Sequence, residues 1–180
     1  MNSTTVRAKT RQPSQMDLAR HEARHCLVAH QYAPHGCRVR KVTMIPHPQS
    51  VISMPMVPRE IAESYRNDPE GTGWTLERMI AVGLANGKES SDDDKAMVAK
   101  WQAAWPKQGK PSWAEILFNG QVRAEETLAI IGEERLQQFA TTLCKEWVLF
   151  GDKLKAALWW PHTPPRRHAG LGTRLVQVTI

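Results

Sequence analysis

Residues 21–25 read His-Glu-Ala-Arg-His, inside a stretch whose pattern is helical. Ser14 followed by Asp17 has the spacing of a capping box, in which the serine covers one free amide and the acid reaches back to another. Beyond it Ala19, Ala23, Cys26, Leu27 and His30 recur at helical spacing, which predicts one buried face. Pro34, His35 and Gly36 stop the helix near Ala33. Residues four apart lie one above the other on a helix, so His21 and His25 present two imidazoles to one point. That is what two ligands of a tetrahedral zinc require. Glu22 stands beside the first imidazole, where a carboxylate can take a proton from a metal-activated water and hand it to a leaving amine. His30 and His35 lie outside this spacing and are read as ordinary core or surface residues.

The rest of the chain predicts a mainly α-helical α+β domain with a small β-sheet next to the metal-binding helix. Residues 37–45 and 51–57 have strand composition, and Pro55, which cannot donate to a ladder, places the second at a sheet edge. Residues 66–73 read as a loop, after which Thr75 caps a helix that Gly87 ends. Ser91 opens another helix with Asp92, Asp93 and Asp94 in its first turn, where acids suit the helix dipole. The segment 106–111 interrupts, and helical sequence resumes over 112–160 with breaks near Gly132 and Gly151. Residues 1–13 read as a flexible lead, 14–160 as one domain, and 161–180 as a Pro/Arg-rich tail closing in strand-prone 175–180.

Composition narrows the class. The chain has 180 residues, 41% hydrophobic and 23% charged, enough to bury a core and too apolar for wholesale disorder. Its net charge of +6 invites a nucleic-acid reading, but the basic residues are scattered and form no helical stripe, so a solvated surface is the reading kept. No apolar run approaches the roughly 20 residues needed to cross a bilayer. Cys26, Cys37 and Cys144 share no metal-type spacing, which fits a reducing, cytoplasmic setting.

Three segments together carry a resemblance. They are His21-Glu22-Ala23-Arg24-His25-Cys26-Leu27-Val28-Ala29, Lys41-Val42-Thr43-Met44-Ile45-Pro46 and Met54-Pro55-Met56-Val57-Pro58. The chain resembles the peptidase domain of FtsH-type ATP-dependent zinc metalloproteases over about residues 16–158. The likeness is strong at the zinc helix and first strand and weaker elsewhere. It implies a zincin-like fold, a bound Zn2+, peptide or unfolded-protein substrates, and Glu22 as general base. Glu89-Ser90-Ser91-Asp92-Asp93-Asp94 is similar to the family's Ser-Asn-Asp segment, whose Asp is the third metal ligand.

Residues at successive helical positions diverge by about 100°, so only one of the three aspartates can face the metal squarely. Asp93 shares its face with apolar Met97 and Trp101 and is the choice, with Asp92 second. The chain departs from the family in having Arg24 where a glycine is usual, expected to point away from the His21/His25 face. It also has no G-x-x-x-x-G-K-[ST] phosphate loop, so the expected activity is ATP-independent. The expected function is zinc-dependent endopeptidase; the rival is a non-catalytic binding or regulatory module that retains the fold. A homo-oligomer is left open.

Overall fold

The computed structural model describes residues 13–159; the strand-prone segment 175–180 and most of the two terminal segments lie outside them. The described chain is mainly helical with a small antiparallel sheet. Helix α1 (Gln15–Gln31) leads through a 3-10 turn to strands β1 (Arg38–Thr43) and β2 (Gln49–Ser53). Helices α2 (Pro58–Asn67), α3 (Pro69–Gly83), α4 (Asp92–Ala104), α5 (Trp113–Ile131) and α6 (Glu133–Glu146) follow, and β3 (Val148–Phe150) and α7 (Gly151–Leu158) close it.

The Ser14 capping box forms as its spacing predicts: the Asp17 amide donates to Ser14 Oγ at 3.1 Å, and the Ser14 amide to Asp17 Oδ2 at 2.9 Å. Ala19, Ala23, Cys26 and Leu27 are buried, and they pack against Leu136, Phe139 and Leu143 of α6, with Val42 and Leu149 of the sheet. A second core joins α2, α3, α4 and α5 through Ile61, Leu76, Ile80, Trp101 and Ile116. Helix α1 packs on the first core and, through Val28 and Ala29, against Ala81 and Val82 of α3 and Ala124 of α5, so only part of its surface meets solvent.

The sheet order is β2-β1-β3, with both pairings antiparallel. The second strand is at an edge, but it spans Gln49–Ser53 and ends before Pro55 rather than running to 57, so the proline is not the cause. Strand β3 was not expected, because residues 112–160 read as helix. Trp147, at the end of α6, takes a left-handed φ of 61° and reverses the chain, and its carbonyl accepts the Met44 amide at 2.8 Å. Three residues then pair with β1.

Residues 66–73 are not a loop. Asp68 accepts the Gly71 amide at 2.9 Å as a helix cap, and Pro69 occupies the first helical turn, where its missing N–H costs nothing. Thr75 consequently lies inside α3, with its hydroxyl donating back to the Gly71 carbonyl. The local glycines misled: Gly73 serves packing, since a Cβ there would stand 3.0 Å from Pro111 Cγ. Helix α3 also ends at Gly83 rather than Asn86, which frees Asn86 to enter the site described next.

Candidate metal centre

The site lies where the middle of α1 meets the end of α3 and the start of α4. His25 is buried and His21 half-buried, as their places along a capped, packed helix dictate. His25 Nδ1 lies 2.7 Å from the Val82 carbonyl of α3. A carbonyl only accepts, so Nδ1 carries the proton and Nε2 keeps a lone pair turned into the site. His21 Nε2 is 3.3 Å from His25 Nε2.

The third member is Asp94. Its Oδ2 is 3.4 Å from His21 Nε2 and its Oδ1 is 3.4 Å from His25 Nε2. This corrects the choice of Asp93 and of Asp92 behind it: both are exposed, and Asp92 makes only a helix-surface ion pair with Lys95. The reason is helical phase. Seven residues bring a side chain back to within about 20° of its starting direction, whereas eight miss by about 80°. Asp94 therefore shares its face with Val98 and Trp101, both buried, while the comparison by fours and eights favoured Asp93. Asp94 is also the third helical residue after the Ser91 cap. The Ser91 amide donates to Asp94 Oδ2 at 2.8 Å, and the Asp94 amide donates to Ser91 Oγ at 3.1 Å.

These three groups fit a tetrahedral metal. Ligand atoms about 2.0–2.1 Å from zinc at tetrahedral angles stand about 3.3–3.4 Å apart. The two Nε2 atoms have that separation, and each Asp94 oxygen has it from a different ring, Oδ2 from His21 and Oδ1 from His25. The donor set of two imidazoles and one carboxylate suits zinc and leaves a fourth position open. Charge agrees with the geometry. Burial opposes a positive charge on His25, but the hydrogen bond and field of Asp94, with the Val82 carbonyl and Glu22, outweigh it and raise its pKa. Burial likewise works against ionising Asp94, yet its contacts with His21, His25 and the Ser91 cap hold its carboxyl far below the usual range. The cluster could hold a metal ion.

Glu22 is buried on the neighbouring flank of α1, and its carboxylate is engaged by Ser50 of β2, whose Oγ donates to Oε2 at 2.5 Å. The Arg24 guanidinium lies 3.4 Å from Asn86 Oδ1 and 3.2 Å from Glu89, and Arg24 lines one cavity with His21, Asn86 and Glu89.

Three groups around the site had not been singled out from the sequence: the Val82 carbonyl, Asn86 and Ser50. Asn86 is buried, with its amide nitrogen 3.3 Å from the His21 carbonyl and 2.9 Å from His25 Nε2. No local pattern marks them, because each reaches α1 from a separate element. Cys26 is fully buried, and desolvation pushes its thiol up to about 12, so it is an inert packing group. In comparisons with known proteins, no family model, no curated protein and no solved structure matches the chain.

Proposed function

We propose that the protein is a zinc-dependent endopeptidase with a zincin-like site, in which His21, His25 and Asp94 hold the metal and Glu22 is the general base. The observation that carries this reading is two Nε2 atoms 3.3 Å apart with the Asp94 carboxylate facing both, one oxygen 3.4 Å from each ring, and a buried glutamate on the adjoining flank. The resemblance of residues 21–29 and 41–46 to the FtsH-type peptidase domain supports it.

A bound zinc would supply Lewis-acid activation of water and of the scissile carbonyl. The chain's own residues do the rest. His25 is fixed in one tautomer by Val82, and Asp94 is fixed by the Ser91 cap, so the ligands are set before any substrate arrives. Glu22 accepts the proton of the attacking water and delivers it to the leaving amine nitrogen. The outer edge of β2, which has no partner strand among the described residues, can receive an extended peptide by strand addition. Substrates would be unfolded or flexible chains in a cytoplasmic setting. Among the described residues no helix is long and apolar enough to cross a membrane.

The deciding experiment combines metal analysis of purified protein with cleavage of a peptide library by wild type and by Glu22→Gln. Zinc at about one per chain and cleavage abolished in the variant are expected. Wild-type protein that stays metal-free after growth with added zinc overturns the reading. Zinc-loaded protein that cleaves nothing leaves the non-catalytic module in its place.

A further inference from the structure

Strand β2 lies beside α1 with Ser50 paired opposite Val42. Glu22 and Cys26 are four apart on α1 and share the helix face that meets this strand. Between them sits one hydroxyl. Ser50 Oγ is 2.5 Å from Glu22 Oε2, 3.5 Å from the Glu22 carbonyl and 3.2 Å from Cys26 Sγ.

A serine hydroxyl has a single proton to give. The contact to Oε2 falls in the short range of a charge-assisted O–H···O⁻ bond, so the proton belongs to the carboxylate. With that proton given to Glu22, the Cys26 thiol, 3.2 Å away, is the donor left toward Ser50 Oγ. The order of donation is therefore Cys26 to Ser50 to Glu22. Oε2 is oriented from β2 by the Ser50 hydroxyl. A glutamate side chain has three rotatable bonds, and burial alone does not choose among its rotamers; this bond does.

We infer that Ser50 is a positioning residue that holds the Glu22 carboxylate in place from the edge strand. The inference rests on the peptidase reading of Glu22. It adds that the strand offered to substrate and the general base are joined through one hydroxyl, so the base is ordered only when β2 is in register.

The test uses the full chain, zinc-loaded, with Ser50→Ala, Ser50→Thr and Ser50→Cys, each alone and with Glu22→Gln. Ser50→Ala is expected to keep one zinc and an unchanged KM while kcat falls roughly 10- to 100-fold. Ser50→Thr, which keeps the hydroxyl, restores most of the rate. Ser50→Ala costs nothing further in the Glu22→Gln background, because the two act as one unit. Should Ser50→Ala fail to fold, Ser50→Cys keeps the volume with a weak donor and reads the same loss. An unchanged kcat in folded Ser50→Ala or Ser50→Cys overturns the inference, and so does an equal loss in the Glu22→Gln background. A second readout is independent of turnover: the 13C carboxyl resonance of Glu22, assigned by its disappearance in Glu22→Gln, shifts in Ser50→Ala or Ser50→Cys. A resonance that does not move overturns the contact even if the protein cleaves. An inactive wild type with a shifting resonance overturns the peptidase reading and leaves the Ser50–Glu22 contact standing.

Discussion

The Asp94 carboxylate accepts the Ser91 amide at 2.8 Å, so the residue that closes the capping box of α4 is also the one that faces the two imidazoles. Capping and ligation ask for the same thing, an ionised carboxylate turned back over the first turn of the helix. In the proposed site a carboxylate held this way would be ordered beforehand, with little side-chain entropy left to lose on metal binding.

Metal content should follow this geometry residue by residue. Wild-type protein is expected to carry about one zinc per chain, and His21→Ala, His25→Ala and Asp94→Ala to lose it. Asp92→Ala and Asp93→Ala should bind as wild type. Zinc content by atomic absorption, with competition by a chelator of known affinity, checks the series. Normal affinity in Asp94→Ala, or its loss in Asp93→Ala, would show that the register of α4 is wrong.

Glu22→Gln keeps size and removes the base. Zinc should stay at one per chain while hydrolysis drops by roughly two to four orders of magnitude. Steady-state kinetics on a fluorogenic peptide reads this directly, and a variant as fast as wild type would remove Glu22 from the chemistry.

Glu77 of α3 is buried, and its two oxygens accept Asn119 Nδ2 at 2.8 Å and Arg123 Nε at 2.7 Å from α5. Glu77→Ala should destabilise the fold by about 2–4 kcal/mol. That lies toward the low side of a broken buried pair, because the Arg123 left behind is partly exposed and can rehydrate. Urea unfolding measures it; a change below about 0.5 kcal/mol would mean that the pair is no more than a surface contact.

The same two helices touch at Gly120, where a Cβ would stand 2.6 Å from Ile80 Cγ2 and 3.0 Å from the Glu77 carbonyl oxygen. Gly120→Ala should therefore cost about 1–3 kcal/mol although alanine is the better helix former. A melting temperature at or above that of wild type would contradict the close approach.

Thiol reactivity offers a check on burial. Desolvation pushes Cys26 up to about 12 and Cys37 up to about 11, and both are buried. A raised thiol pKa means less thiolate at neutral pH, so both should resist labelling in the native state and react only on unfolding. Cys144, only partly buried, should label first. Mass spectrometry after brief exposure to a maleimide at neutral pH reads the order, and early modification of Cys26 would place it nearer solvent.

Local chemistry was legible wherever a residue's role depends on its own neighbours in the chain. The Ser14 and Ser91 caps, the imidazole pair on one face of α1 and the break at Gly132 all follow from spacings of three or four residues or from backbone geometry. Gly71 and Gly73 misread as a loop because Gly71 leaves room for the Asp68 cap and Gly73 lets α3 approach Pro111, a contact that a single segment does not display. Strand β3 escaped for a related reason: three residues become a strand only because β1 is there to pair with them.

By itself, the sequence determined that one helix would carry His21, Glu22 and His25 in a fixed relation, since a rise and a turn per residue allow no other. It also narrowed the third partner to a single helical turn. Only the tertiary structure decided that Asp94, rather than Asp93, meets both imidazoles, that Val82 and Asn86 meet His25, and that Ser50 meets Glu22 and Cys26. Those contacts span 24 to 73 residues along the chain, and their existence depends on how α3, α4 and β2 pack against α1. Helical phase is set within a turn, but the angle at which one helix meets another is set by the side chains filling the space between them, and no local spacing records it.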